Sequence, residues 1–220
     1  MELVTTALLV SAIAGGGAAA AIGKPKKLKN IGEKKKSWLD AFIIAAKPVC
    51  EKANIPYQVC VAQAALESGW GVAAPGYNYF GIKGKGTDGS QQFVSSEILS
   101  GKKVVMKMTF AKYKDMSDGI AGYCKAMNTN PLFAPASKNF PNDPVKFITW
   151  LWASGYATAP NYILTIVGVM SVIYRATGNN DFNIIASPDM KKLVAKLKDA
   201  KAGSQRRQLA AKELKVNLNV

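Results

Sequence analysis

Glu67 is the residue whose type and surroundings point most directly to acid chemistry. No charged residue lies between Lys52 and Glu67. The stretch 57–67 (YQVCVAQAALE) follows Pro56, a residue suited to the start of a helix, and stops at Ser68 and Gly69. After Tyr57 its polar side chains are Gln58, Gln63 and Glu67, so most of this helix must be buried. Gln63 and Glu67 are one helical turn apart and share a face. A carboxyl in the last turn meets the negative end of the helix dipole, and Trp70 follows closely. Both influences favour the neutral acid and push its pKa upward. A general acid needs that condition to hold its proton near neutral pH.

The composition removes the main rivals to carboxylate chemistry. The chain has no histidine, which excludes Cys-His and Ser-His-Asp nucleophile systems and the common His-rich metal sites. No metal and no cofactor are expected. Cys50, Cys60 and Cys124 are three in number and make no complete disulfide framework. Cys60, mid-helix among small apolar residues, reads as a core thiol.

The elements that must position Glu67 follow from patterning. Ser37 is a plausible N-cap for a helix with Trp38, Phe42, Ile43, Ala46 and Val49 at helical spacing. Beyond Lys83 the period changes, and 92–99 and 104–111, separated by a Ser100-Gly101-Lys102 turn, predict a β-hairpin. Helices resume at about 115–127, 143–154 and 160–176. In the second of these, Trp150 and Trp152 fall on opposite sides, one expected in the core and one near a cleft.

Four strings recur in a telling order: ESGWG at 67–71, NYFGIKG at 78–84, FAKY at 110–113 and GYAT at 155–158, followed by Tyr162. Together they resemble the glucosaminidase family of peptidoglycan hydrolases (glycoside hydrolase family 73), over roughly residues 38–178. The resemblance implies an α+β, mainly α, lysozyme-like fold with a small β-hairpin lobe. It implies that Glu67 is the acid that protonates the leaving glycosidic oxygen. Breaking such a bond normally takes two carboxyl groups. Glu97 on the hairpin is the best match for the second, and Asp88, in a Gly-rich loop, reads as a turn residue. Tyr156 matches the family's cleft tyrosine. Gln63, Trp70, Asn78, Phe80, Tyr113 and Tyr162 complete the expected substrate-binding set. Asn78 and Phe80 shape the floor, while Trp70 and Tyr79 are candidates for stacking on sugar faces.

The ends of the chain carry most of the charge. Of the net +15, residues 1–36 hold +5 (seven basic, two acidic) and residues 189–220 hold +6 (nine basic, three acidic). Such a balance suits a polyanionic partner, whether anionic lipid or an acidic wall. Nucleic acid is disfavoured as substrate, because the aromatic residues are not interleaved with the basic runs. Residues 3–22 carry no charge and as a helix would span about 30 Å, enough for a bilayer core. A membrane anchor, a signal peptide and a protein-contact helix all fit, although Glu2 is an unusual start for a signal.

The expected organisation is an apolar anchor at 1–23, a basic linker at 24–36, a catalytic domain at 37–187 and a basic amphipathic tail at 188–220, able to lie on a membrane or partner. Three functions remain open: an endo-β-N-acetylglucosaminidase acting on peptidoglycan glycan strands, a muramidase or lytic transglycosylase, and a tethered protein that only binds glycan. A membrane-associated or virion-borne enzyme that opens the wall locally suits this layout, with virion or envelope proteins as possible partners.

Overall fold

A computed structural model describes residues 31–99, 102–201 and 203–217. The apolar segment 3–22 and most of the basic linker lie outside them. The centre of the molecule is α2 (Tyr57–Glu67), in which Val59 through Ala65 are all buried. A helix apolar on every side must be enclosed by others. Against it pack α1 (Glu33–Lys52), α5 (Pro144–Ala153) and α6 (Tyr162–Thr177), while α3 (Met116–Thr129) packs on α1. The short α4 (Ala134–Asn139) lies on α3 and α5.

The N-cap of helix α1 is Gly32, not Ser37, and the helix begins at Glu33. The lysines assigned to the linker therefore supply its first turn, where Lys36 reaches Asp40 at 2.6 Å, one turn on. Leu39, Phe42, Ala46 and Cys50 form its buried stripe. Pro48 sits inside this helix and leaves the carbonyl of Ile44 without its usual donor. Ile44 is exposed, so that carbonyl lies on the solvent side. The other helix ends follow local chemistry. Asp115 and Asp143 cap α3 and α5 by accepting from the N–H groups of Asp118 and Lys146, and Gly178 ends α6 in the left-handed conformation.

The small lobe is an antiparallel ribbon of β1 (Ser90–Leu99) and β2 (Lys102–Ala111), in register from Ser90 opposite Ala111 to Leu99 opposite Lys102. Its base is tied to the body through Asn78. That side chain donates to the carbonyls of Ile82 and Ala111 at 2.8 and 3.0 Å and accepts from the Ile82 N–H at 2.9 Å. Two-residue alternation puts position 97 on the ribbon face that carries Phe93, Met108 and Phe110. Met108 and Phe110 are buried, so this face turns inward at the base of the ribbon, whereas Val94 and Val105 on the other face are exposed.

The tail departs from expectation. It forms two helices, α7 (Pro188–Asp199) and α8 (Ser204–Leu214), and both pack on α5. Val194, Leu197, Ala210, Ala211 and Leu214 join the main core, so the apolar face foreseen for a membrane or partner is already covered. Arg206 lies 4.3 Å over the Trp152 ring and its Nε donates to the Leu197 carbonyl. Both tryptophans of α5 are buried, Trp150 donating to Leu132 O and Trp152 to Ala159 O. Neither faces open solvent. Among the described residues, no helix is long and apolar enough to cross a membrane.

Candidate active site

Helix α2 ends at Glu67 because residues 69, 70 and 71 all adopt positive φ, at 59°, 65° and 78°. Gly69 and Gly71 do so freely, while Trp70 bears the left-handed strain of a side chain. Ser68 fixes the turn: its hydroxyl donates to Ala64 O at 2.6 Å and accepts from the Gly71 N–H at 2.8 Å. A Cβ on Gly71 would stand 2.3 Å from the Trp38 ring, so this position admits only glycine. The ESGWG string thus stops the helix abruptly and leaves Glu67 at its lip.

Glu67 keeps a partial opening to solvent, yet the surrounding protein desolvates it. Burial alone pushes its pKa up to about 7, and no basic side chain pairs with it among the described residues. The expected direction is met through desolvation. The carboxyl's electrostatic neighbours are Tyr156 and Tyr162, whose hydroxyls burial and Glu67 both hold firmly protonated. Their rings lie 5.9 Å apart. The Tyr156 hydroxyl is buried and makes no hydrogen bond among the described residues.

The remaining expected contacts divide into support and packing. Gln63 is fully buried and cannot touch substrate as its place beside Glu67 suggested; its Nε2 donates to the Tyr162 hydroxyl at 3.0 Å, and its Oε1 accepts from the Tyr123 hydroxyl at 2.5 Å. Asn78 spends its amide on the ribbon base, and Phe80 stacks on Tyr123 with ring centroids 4.2 Å apart, so both act beneath the surface. Tyr113 is buried against Gly122 of α3, with Asp118 as its charged neighbour. It is not brought to Glu67 by any described contact. Trp70 is half-buried at the turn, whereas Tyr79 packs in the core, edge-on to Phe42. Asp88 makes the turn read from its loop, its N–H donating to Lys112 O and its carboxylate 2.8 Å from the Lys112 ammonium.

Tyr123, whose hydroxyl donates to Gln63 beneath Glu67, was not singled out from the sequence. At helical spacing with Ile120 and Met127 it is indistinguishable from a core aromatic, and only its hydroxyl partner reveals more. A cavity of about 420 Å³ opens at the other end of α2, lined by Lys47, Glu51, Tyr57, Gln58 and Asp181 among others. The Tyr57 hydroxyl donates to Asp181 and Lys47 stands 3.5 Å from the same carboxylate, so these groups satisfy one another. An 11-residue helix is about 16 Å long, which separates this cavity from Glu67. Among the described residues, no cluster of three or more metal-ligating side chains occurs.

A helical body, a ribbon lobe and a desolvated carboxyl at the end of the central helix define a glycoside hydrolase domain of lysozyme-like type. Residues 44–175 match the Glucosaminidase family, described as mannosyl-glycoprotein endo-beta-N-acetylglucosaminidase, and the chain belongs to that family. It is 28% identical over 136 residues to the peptidoglycan hydrolase FlgJ of Salmonella typhimurium, covering 58% of this chain and 42% of that protein. To a probable N-acetylmuramidase of Lactococcus lactis it is 29% identical over 151 residues, covering 61% and 33%. The chain therefore spans less than half the length of these relatives. Among solved structures, the catalytic domain of the autolysin Auto from Listeria monocytogenes superposes with a TM-score of 0.57 at 25% identity, covering 73% of this chain and 92% of that one. A C-terminally truncated glycoside hydrolase domain of Salmonella typhimurium FlgJ gives 0.53 at 25% identity, covering 65% and 99%.

Proposed function

We propose that this protein is a peptidoglycan hydrolase that cuts the β-1,4 bonds of the glycan strand as an endo-β-N-acetylglucosaminidase. The observation that carries the reading is Glu67, a carboxyl desolvated to a pKa of about 7 beside two buried tyrosine hydroxyls. Protonated Glu67 donates to the glycosidic oxygen as the bond to the anomeric carbon breaks, and charge develops on the departing sugar ring. Glu97, on β1 at the position paired with Val104, is the proposed second carboxylate, activating water or stabilising that charge. Family membership and the relatives named for wall hydrolysis support the substrate class.

A muramidase is the second reading, favoured by the relative named a probable N-acetylmuramidase. Digestion of purified peptidoglycan separates the two: mass spectrometry of the products must show N-acetylglucosamine at the new reducing ends. N-acetylmuramic acid there would establish the muramidase. The Glu67→Gln variant must lose about 10²–10⁴-fold in turnover, because its amide cannot supply the proton. Near wild-type clearing by that variant would remove Glu67 from the mechanism.

The envelope or virion setting rests on residues 1–23, whose uncharged run suits a membrane anchor. Association of the full chain with anionic vesicles should then survive high salt, since apolar burial is not screened, whereas a chain lacking residues 1–23 should bind only at low salt.

A further inference from the structure

We propose that Tyr123 is a positioning residue, the anchor of a buried one-way hydrogen-bond chain that runs through Gln63 to Tyr162 and aims the Tyr162 hydroxyl proton toward Tyr156 and Glu67. The inference rests on the reading of Glu67 as the acid.

The direction of the chain follows from what stands at its two ends. An amide joining two phenols can be oriented either way, so the acceptors beyond the phenols decide. At one end Tyr123 is fully buried, and its neighbours besides Gln63 are the Tyr156 phenol, which takes no hydrogen bond from it, and the thiols of Cys60, Cys124 and Cys50. Thiols are weak acceptors. If the Gln63 amide were reversed, the Tyr123 proton would be left without a good partner inside the core, which is costly. At the other end Tyr162 has the Tyr156 oxygen and the Glu67 carboxyl as neighbours, both good acceptors. The satisfied arrangement is therefore Tyr123 O–H to Gln63 Oε1, then Gln63 Nε2–H to the Tyr162 oxygen, at 2.5 and 3.0 Å. The lone pair of Tyr162 is then occupied from below, and its proton is free to point outward. The buried Tyr156 hydroxyl can accept that proton and offer its own toward Glu67, its charged neighbour.

The gain comes after proton transfer. Glu67 is then a carboxylate in a desolvated place, with no cation beside it among the described residues. Hydroxyl protons already aimed at it stabilise that charge without reorganisation. Loss of the aim should therefore lower kcat and leave KM nearly unchanged.

The test is a cycle of Tyr123→Phe, Tyr162→Phe and the double variant, assayed on purified peptidoglycan. Tyr123→Phe keeps the ring stacked on Phe80 and should lower kcat roughly tenfold, the worth of about one hydrogen bond. In the Tyr162→Phe background it should cost nothing more, because no hydroxyl remains to be aimed. Gln63→Met, which cuts the chain at its middle, should match the kcat loss of Tyr123→Phe. The Gln63 side-chain amide signals, followed by ¹⁵N NMR, should shift and exchange faster with solvent in Tyr123→Phe. Independent multiplication of the two kcat losses, or unchanged Gln63 signals, would overturn the proposal. A wild-type chain that cleaves no peptidoglycan would sink the functional reading, while the amide signals would still decide the chain.

Discussion

Glu67 is easier to bury neutral than ionised, and the consequence for stability has a definite sign. Its pKa rises from a usual value near 4.5 to about 7 on folding. The unfolded state therefore releases its proton first as pH increases. The folded state is favoured fully below about 4.5 and loses that advantage up to about 7, by at most about 3 kcal/mol. Glu67→Gln has no such titration. Thermal melts should show the variant gaining on the wild type as pH rises from 4.5 to 7.5, and parallel curves would mean that Glu67 is solvated. Wild-type activity should fall through the same upper limit, because the acid form is the working one. The place of Glu67 at the end of a buried helix was legible from sequence, because an uncharged helical stretch that closes on a carboxyl admits few readings. The roles of Gln63, Asn78 and Tyr113 were not legible. Whether a polar side chain faces a sugar or a neighbouring helix depends on partners up to 99 positions away, as with Gln63 and Tyr162.

The turn after α2 is where element geometry meets the site. Gly69 and Gly71 both have positive φ, but a Cβ at 69 meets nothing within 4 Å whereas one at 71 drives into Trp38. Gly69→Ala should cost about 1–2 kcal/mol, the left-handed penalty alone. Gly71→Ala should cost more than Gly69→Ala, and it should also lower turnover by displacing the lip that holds Glu67. Denaturant melts of the two variants check the order, and equal losses would show that Trp38 yields. The central helices and the ribbon were readable because their apolar periods are strong and their boundaries carry Pro, Gly or Asp. Helix α1 began five residues early, since a lysine-rich turn looks like linker until Asp40 is seen to pair with Lys36. The six-residue α4 is too short to show a period.

At the scale of the whole molecule, the family match ends at residue 175 but the hydrophobic core does not. Leu197 and Leu214 enter it, and Lys196 meets Glu213 at 2.6 Å to join α7 to α8. The amphipathic pattern of residues 188–199 was visible in sequence; that its apolar face turns toward α5 was not, because a basic helix reads alike whether it covers a protein or a membrane. Deleting residues 188–220 should lower the melting temperature by 10 °C or more or leave the chain insoluble, since it uncovers Trp152. A soluble truncated chain with an unchanged melting temperature would show the tail to be dispensable.

The clasp of Arg206 on Trp152 also bears on how this enzyme could be rebuilt. Trp152 holds the carbonyl of Ala159, in the loop that carries Tyr156, so the last helix reaches that loop through the Trp152 ring. The portion recognisable as a relative of other hydrolases is thus smaller than the portion that can be transplanted. A chimera grafted at the edges of the recognisable stretch would inherit Glu67 without the brace behind its tyrosines, whereas one that extends through Val216 would carry its own support.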